Sequence, residues 1–135
     1  MLGVVYWGVK FGTVINCIDG RVQLPVNKFL CEKFGLDYID TVTGAGIVGL
    51  FAGGGACSRI FNDVKVSVVS HGSRVVAVCA HADCAGNAVS DDEQIAQIKT
   101  AVGVIKSWGF GVDVVGLWAF ADAHGVWRCD VVNIG

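Results

Sequence analysis

The stretch SRVVAVCAHADC, residues 73–84, contains the clearest strand signal in the chain. A run of valine and other small apolar residues begins after Arg74, and such a run is typical of a strand buried on both faces of a sheet. His81 and Cys84, two side chains that bind metals, come directly after it. The stretch predicts a buried parallel strand that ends in a loop with reactive side chains.

Valine-rich runs alternate with helix-like segments on both sides of this strand, which indicates an α/β fold with a mostly parallel sheet flanked by helices. The predicted strands cover residues 12–19, 37–42, 73–80, 112–121 and 127–132. The predicted helices lie between Pro25 and a stop at Gly35, over 58–71, and over 90–109. A capping box of Ser90 and Glu93 begins the last helix, whose apolar face is predicted to contain Ile95, Ile98, Val102 and Ile105.

The composition indicates one domain, residues 1–135, that is large enough to bury a core. Hydrophobic residues make up 53% of the chain and charged residues 16%, so we expect a homo-oligomer that buries further apolar surface. A net charge of −2 without a lysine or arginine run argues against nucleic-acid binding. No apolar run reaches the roughly 18–20 residues of a membrane span. The first residues lack the features of a signal peptide, so we expect a cytoplasmic protein.

The chain has six cysteines. In a cytosolic chain with a core of normal size, buried thiols or metal ligands are more typical than disulfides. Four of them are interpreted as core or interface thiols, namely Cys31, Cys57, Cys79 and Cys129. The four tryptophans are assigned to the core and to an interface: Trp7, Trp108, Trp118 and Trp127.

The segment GAGIVG, residues 44–49, has the G-x-G-x-x-G spacing of a dinucleotide-binding loop. That motif requires a long helix after the glycines and a later strand that ends in an acidic residue. Here three consecutive glycines, residues 53–55, interrupt the helix, and no such strand follows at the required distance. We interpret the segment as a loop whose backbone packs closely against another part of the protein.

His81 and Cys84 form an H-x-x-C pair, which is a short chelating unit for zinc. Cys17 lies at the carboxyl end of the predicted strand 12–19, the sheet edge where ligands bind in α/β proteins. If the two strands are parallel neighbours, the three side chains form a Cys₂His set. Three protein ligands leave a fourth position for water or substrate, as in catalytic zinc sites. The alternative is that these are unrelated core residues.

Asp19 and Arg21 follow Cys17 in VINCIDGRVQ, residues 14–23. A carboxylate two residues from a ligand can accept a hydrogen bond from zinc-bound water, and an arginine can hold that carboxylate through two hydrogen bonds. Without a metal, the same residues form an ordinary surface ion pair of little energetic value.

The patterns C-x-D-x-R at residues 17–21 and H-x-x-C at 81–84 together resemble the two-part signature of the β-class carbonic anhydrases. VTGAGIVG, residues 42–49, lies where that family has its glycine-containing active-site loop, and the later helices and strands follow the family's order. The resemblance implies a single β-carbonic-anhydrase-like domain over residues 1–135. It also implies Zn²⁺ ligands at Cys17, His81 and Cys84, a catalytic dyad of Asp19 and Arg21, and a homodimer or larger assembly.

The activity that this resemblance implies is the reversible, zinc-dependent hydration of carbon dioxide to bicarbonate and a proton through a zinc-bound hydroxide. In some members the dyad aspartate becomes the fourth zinc ligand when its arginine releases it. Relatives of this fold hydrolyse carbon disulfide or carbonyl sulfide, so one alternative is such a hydrolase on the same zinc site. Another is a non-catalytic scaffold or small-anion binder with this fold.

Three features differ from the family pattern. Gly20 stands where serine is usual, and Ala85, Gly86 and Asn87 follow Cys84 where two glycines are common. Because the sequence begins almost at the first predicted strand, we expect no helical arm of the kind that usually wraps the partner subunit. Because family members complete the substrate pocket across the dimer, the resemblance does not identify pocket residues in this chain. His71 and His124 are interpreted as surface histidines, and Asp83 as a residue that hydrogen-bonds the backbone of its own loop.

Overall fold

The structure is a computed structural model that describes residues 8–53 and 58–134. The expectations for Trp7 and Cys57 therefore lie outside the described residues. The described strands are β1 (Phe11–Asn16), β2 (Tyr38–Thr43), β3 (Val75–His81), β4 (Asp113–Ala121) and β5 (Trp127–Val131). They form one sheet in the order β2-β1-β3-β4-β5, in which β5 is antiparallel to β4 and the other neighbours are parallel. The predicted mostly parallel sheet is confirmed.

Helices cover both faces of this sheet. They are α1 (Gln23–Phe34), α2 (Val48–Ala52), α3 (Ser58–His71) and α4 (Asp91–Ser107), with a 3₁₀ helix at Gly20–Val22 before α1. On one face, Val26 and Leu30 of α1 pack against Cys79 of β3. On the other, α2, α3 and α4 pack against Val76 and Val78. β3 is buried along its whole length because its side chains alternate between these two cores.

Most helix ends agree with the sequence signals. α3 spans the predicted residues 58–71. α1 ends at Gly35, which adopts a left-handed conformation with φ 63° and whose N–H donates to the carbonyl of Cys31. The Ser90 hydroxyl accepts a hydrogen bond from the backbone N–H of Glu93 at the start of α4.

Two predictions about these elements need correction. The first strand ends at Asn16 rather than at residue 19. The Asn16 side chain accepts a hydrogen bond from the backbone N–H of Cys17 and Asp19 caps the 3₁₀ helix, so the chain turns away from the sheet there. On α4, Gln94 and Gln97 are buried whereas Ile95 is only half-buried. The helix therefore presents two polar side chains to the interior, where they form hydrogen bonds with Asn87.

None of the helices in the described part of the chain is long and apolar enough to span a membrane.

Candidate metal centre

The sheet order brings together the side chains that the sequence predicted as ligands. β1 and β3 are parallel neighbours with Ile15 opposite Val78, so Cys17 comes level with the end of β3. The sulfur atoms of Cys17 and Cys84 and a ring nitrogen of His81 all lie within 4.8 Å of one another, and all three residues are buried. The structure thus places Cys17, His81 and Cys84 in one cluster at the carboxyl edge of the sheet.

The spacing of this cluster fits zinc. The two Sγ atoms are 3.9 Å apart. Two thiolates at about 2.3 Å from a tetrahedral zinc ion are separated by about 3.8 Å, so the pair needs almost no movement to bind one. Two thiolates and one imidazole are also the ligand chemistry that zinc prefers.

His81 is oriented as a metal ligand. Its Nδ1 lies 2.7 Å from the carbonyl oxygen of Ala82, which makes Nδ1 the donor and leaves the lone pair on Nε2. Nε2 is buried and has no hydrogen-bond partner among the described residues, and the side chain is 1% exposed. Since buried polar atoms are nearly always satisfied, this nitrogen indicates that a ligand is expected there.

The glycine-rich loop after β2 supports the first thiol. The backbone N–H of Gly46 donates to the sulfur of Cys17 at 3.3 Å. Gly46 has φ 57°, and a Cβ atom at this position would lie 2.5 Å from the backbone carbon and oxygen of Gly86. Glycine is therefore required for the loop to reach both Cys17 and the segment after Cys84. The interpretation of this segment as a closely packed loop agrees with the structure.

The surroundings of Cys84 disfavour its ionisation to a free thiolate. Burial raises the pKa of Cys84, the neighbouring Cys17 raises it further, and the backbone N–H groups of Asn87 and Gly86 act in the opposite direction. A nearby cation favours the charged form of a thiol, and a coordinated metal removes the proton outright. A bound cation would therefore offset the unfavourable setting of the Cys84 thiolate.

The segment after Cys84 is fixed to α4 by amide side chains. Nδ2 of Asn87 donates to Oε1 of Gln97 at 2.6 Å, and Nε2 of Gln94 donates to the carbonyl oxygen of Asn87 at 3.0 Å. These bonds give Oε1 of Gln97 a donor and Nε2 of Gln94 an acceptor, which explains why α4 turns both glutamines inward. Hydrophobic periodicity did not predict them, because their buried position depends on a partner from another segment.

Asp19 and Arg21 form a two-point ion pair beside the cluster. Nε and Nη2 of Arg21 donate to Oδ1 and Oδ2 of Asp19 at 3.0 and 2.7 Å. The hydrogen bonds from the Arg21 side chain lower the pKa of Asp19 to about 2, against a smaller opposing effect of burial. Oδ2 of Asp19 is 4.0 Å from Nε2 of His81. An ionised carboxylate is thereby held next to the nitrogen that faces the candidate metal position.

Comparison with known proteins agrees with this geometry. The sequence model of a family described as "Putative carbonic anhydrase" matches residues 8–132. The chain belongs to this family. That membership assigns it to the carbonic anhydrase class of enzymes. No curated protein matches the chain significantly.

Two solved structures resemble the fold. The crystal structure of carbonic anhydrase from Streptococcus mutans is 16% identical, with a TM-score of 0.61, and the match covers 97% of this chain and 88% of that one. Carbonic anhydrase from Glaciozyma antarctica is also 16% identical, with a TM-score of 0.57 and coverage of 90% and 81%. At this identity the likeness shows a shared β-carbonic-anhydrase-like fold.

The difference from the family pattern at residue 20 has little structural effect. A Cβ atom on Gly20 would meet nothing within 4 Å, and Gly20 is not among the glycines with positive φ. A serine would fit the same backbone. The dyad of this carbonic anhydrase family member therefore does not depend on glycine there.

Residues around the dyad are fixed by two neighbours that sequence reasoning missed. Nε2 of Gln23 donates to the carbonyl oxygens of Cys17 and Asp19 at 2.7 and 2.8 Å. Nδ2 of the buried Asn16 donates to the carbonyl oxygen of Val22 at 3.2 Å. These bonds close the chain between β1 and α1 into a compact turn. The sequence does contain a signal for them, because asparagine and glutamine side chains often hydrogen-bond backbone groups a few positions away in turns.

The prediction for Asp83 needs correction. Its carboxylate does not bond its own loop but accepts a hydrogen bond from Nη1 of Arg21 at 3.1 Å. The guanidinium carbon of Arg21 also lies 4.7 Å from the ring centre of Trp127. A cleft of about 650 Å³ opens beside these residues, with Trp118 and Phe120 on its wall.

The other polar candidates lie away from this centre. His71 contacts a carboxylate oxygen of Asp40 at the end of α3, beside the amino ends of the strands. The backbone N–H of His124 donates to Asp122 in the turn between β4 and β5. Cys79 and Cys129 are buried and Cys31 is half-buried, all as free thiols, in agreement with their prediction as structural residues.

Proposed function

We propose that this protein is a zinc enzyme that hydrates carbon dioxide reversibly to bicarbonate and a proton. Cys17, His81 and Cys84 would hold the zinc ion, and Asp19 and Arg21 would form the catalytic dyad. One observation carries the proposal: three ligand atoms within 4.8 Å of one another include a buried ring nitrogen without a partner, and an ionised carboxylate lies 4.0 Å from that nitrogen.

The chain's own groups have definite roles in this reaction. Cys17, His81 and Cys84 would hold a zinc ion that would supply Lewis-acid activation of water as a nucleophile toward carbon dioxide. Asp19, ionised throughout the neutral range, accepts a hydrogen bond from the reacting water and fixes its direction. Arg21 keeps both oxygens of Asp19 oriented. The amide of Gly46 holds the sulfur of Cys17 in place.

The test is stopped-flow hydration of carbon dioxide with zinc quantified per chain in the same sample. We expect hydration that chelators abolish, at one zinc per chain. Asp19→Asn should retain zinc and lose about 100-fold in kcat/KM. The matched control is Asp122→Asn, because Asp122 also pairs with an arginine, Arg128, but in the turn between β4 and β5. Protein that binds no zinc under reducing conditions would refute the proposal.

The same measurement separates the alternatives. A zinc-loaded protein that turns over carbon disulfide or carbonyl sulfide instead of carbon dioxide would be a hydrolase on the same site. A zinc-loaded protein that turns over none of the three would be a scaffold or anion binder. The complete set of three ligands and a dyad supports the enzyme, because a scaffold needs neither.

We also propose that the chain acts as a single cytoplasmic domain that forms a homodimer. Large apolar side chains are exposed on the described surface, among them Leu24, which is 82% exposed, and Ile18, which adjoins the dyad. A second subunit that covers them would remove apolar area from water. Sedimentation equilibrium of the wild type and of Leu24→Glu tests the dimer, since the charge should shift it toward monomer.

A further inference from the structure

We propose that Asp83 is a positioning residue for the dyad. Asp83 holds the Arg21 guanidinium in the orientation that directs two donors at Asp19. The inference rests on the proposed function, because it assigns a role within the same site. Asp83 belongs to the loop that supplies His81 and Cys84, so this contact joins the metal-binding loop to the dyad.

The hydrogen bonds of Arg21 divide between two acidic residues. Nε and Nη2 donate to the carboxylate of Asp19. On the other side, Nη1 donates to the carboxylate of Asp83 and Nη2 to the Asp83 backbone carbonyl, both at 3.1 Å. The face of the guanidinium lies over Trp127. With both edges and one face occupied, the group has a single orientation that presents two donors to Asp19.

The backbone of Asp83 is adapted to this contact. Asp83 has φ 57°, and no other non-glycine residue in the described ranges has a positive φ. Aspartate and asparagine tolerate this left-handed conformation better than most residues, but it is still unfavourable for any residue with a side chain. In this conformation the carbonyl and the carboxylate of one residue both face Arg21.

Stability does not account for the arrangement. The Asp83 side chain is 84% exposed and that of Arg21 is 44% exposed, so their ion pair lies in water, where such pairs contribute little. The contact instead fixes the orientation of the guanidinium. Without Asp83, Nη1 of Arg21 has no protein acceptor among the described residues, and the guanidinium can turn away from Asp19. The expected effect is on catalysis.

The experiment compares Asp83→Gly with Asp83→Asn in the zinc-loaded protein. Glycine accepts φ 57° but removes the carboxylate, whereas asparagine keeps both the conformation and an acceptor oxygen. We expect Asp83→Gly to keep its zinc and lose about tenfold in kcat with little change in KM, as for loss of an outer-shell partner. Asp83→Asn should recover most of that loss. Asp63→Asn, which removes an exposed carboxylate on α3, is the control.

A second readout is independent of activity. The Nε–H resonance of Arg21 in ¹⁵N NMR spectra, assigned with Arg21→Lys, reports its hydrogen bonding directly. It should shift and exchange faster with water in Asp83→Gly, and return toward wild type in Asp83→Asn. An unchanged Arg21 resonance in Asp83→Gly, or wild-type kcat in that variant, would overturn the inference. If wild type does not hydrate carbon dioxide but the resonance behaves as expected, the proposed function fails while the positioning role stands.

Discussion

Residues 17–22, which follow β1, and residues 81–87, which begin at the last residue of β3, both supply candidate metal ligands, but they are held in different ways. The backbone of the first segment is held by neighbours in sequence, since Asn16 and Gln23 close its turn within six positions. Its side chains Cys17 and Arg21 also contact distant residues, among them Gly46 and Asp83. The second is fixed by distant elements. Gly46 packs against Gly86, and two glutamines of α4 bond to Asn87.

Because they are held differently, the two segments should tolerate substitutions to different degrees. The backbone of a locally braced turn depends less on packing elsewhere, because its hydrogen bonds join residues that are close in sequence. A segment held from outside depends on the packing of the loop after β2 and of α4. We therefore expect distant substitutions to affect residues 81–87 more than residues 17–22, while the ligands themselves matter equally in both.

The largest effect should come from the ligands. Cys17→Ser and Cys84→Ser should each weaken zinc binding by more than about 100-fold, since even outer-shell partners cost 10–100-fold. Competition with a chromophoric chelator measures the affinity. Cys31→Ser, a free half-buried thiol on α1, is the control. If Cys84→Ser bound zinc as tightly as wild type, Cys84 would not be a ligand and the second segment would contribute only His81.

The next effect tests the distant support. Gly46→Ala places a Cβ atom against the backbone of Gly86, whereas Gly72→Ala, also at positive φ, meets nothing within 4 Å. We expect Gly72→Ala to lower the free energy of unfolding by about 1 kcal/mol, from backbone strain alone. Gly46→Ala should lower it by about 3 kcal/mol, because overpacking adds to that strain. Urea denaturation measures both, and equal losses would contradict the required close approach.

A smaller effect compares the two braces directly. Asn87→Ala removes the Nδ2 donor from Oε1 of the buried Gln97, whereas the bond from Gln94 to the Asn87 backbone carbonyl is kept. This loss should lower the free energy of unfolding by about 2 kcal/mol. Gln23→Ala removes two hydrogen bonds from a partly buried turn and should cost about 1 kcal/mol. The same denaturation experiment ranks them. The reverse order would mean that residues 17–22 lose more stability than residues 81–87 when a supporting hydrogen bond is removed.

The smallest expected effect is a pH-dependent contribution of Asp122 to stability. Asp122 lies outside both segments and therefore serves as a reference. The hydrogen bond from Arg128, with those from the N–H groups of Val126 and His124, lowers the pKa of Asp122 below its usual 3.8. A lowered folded-state pKa stabilises the protein above the unfolded-state pKa, and this contribution disappears as the pH falls through the folded-state value. Wild type should therefore melt above Asp122→Asn at pH 7, and the difference should shrink below about pH 4. A difference that grows in acid would contradict this sign.

The same division explains what the sequence could predict. The buried strands, the Gly35 stop and the Ser90 cap follow from local patterns, and the C-x-D-x-R and H-x-x-C motifs identified the residues that cluster at the sheet edge. The support of residues 81–87 could not be predicted in this way. Arg21 and Asp83 are 62 positions apart, and Gly46 and Cys17 are 29 apart. These contacts depend on the order of the strands in the folded sheet, which determines which loops are adjacent.

The position of the site also determines when it can form during folding. The sulfur atoms of Cys17 and Cys84 meet across 67 positions of sequence, after the chain has passed through α1, β2 and α3. Closing such a long loop costs entropy before any contact compensates for it. The full ligand set therefore exists only once β1 and β3 have paired. A zinc ion bound as proposed would therefore act late in folding, by slowing the unfolding of the finished sheet rather than by nucleating it.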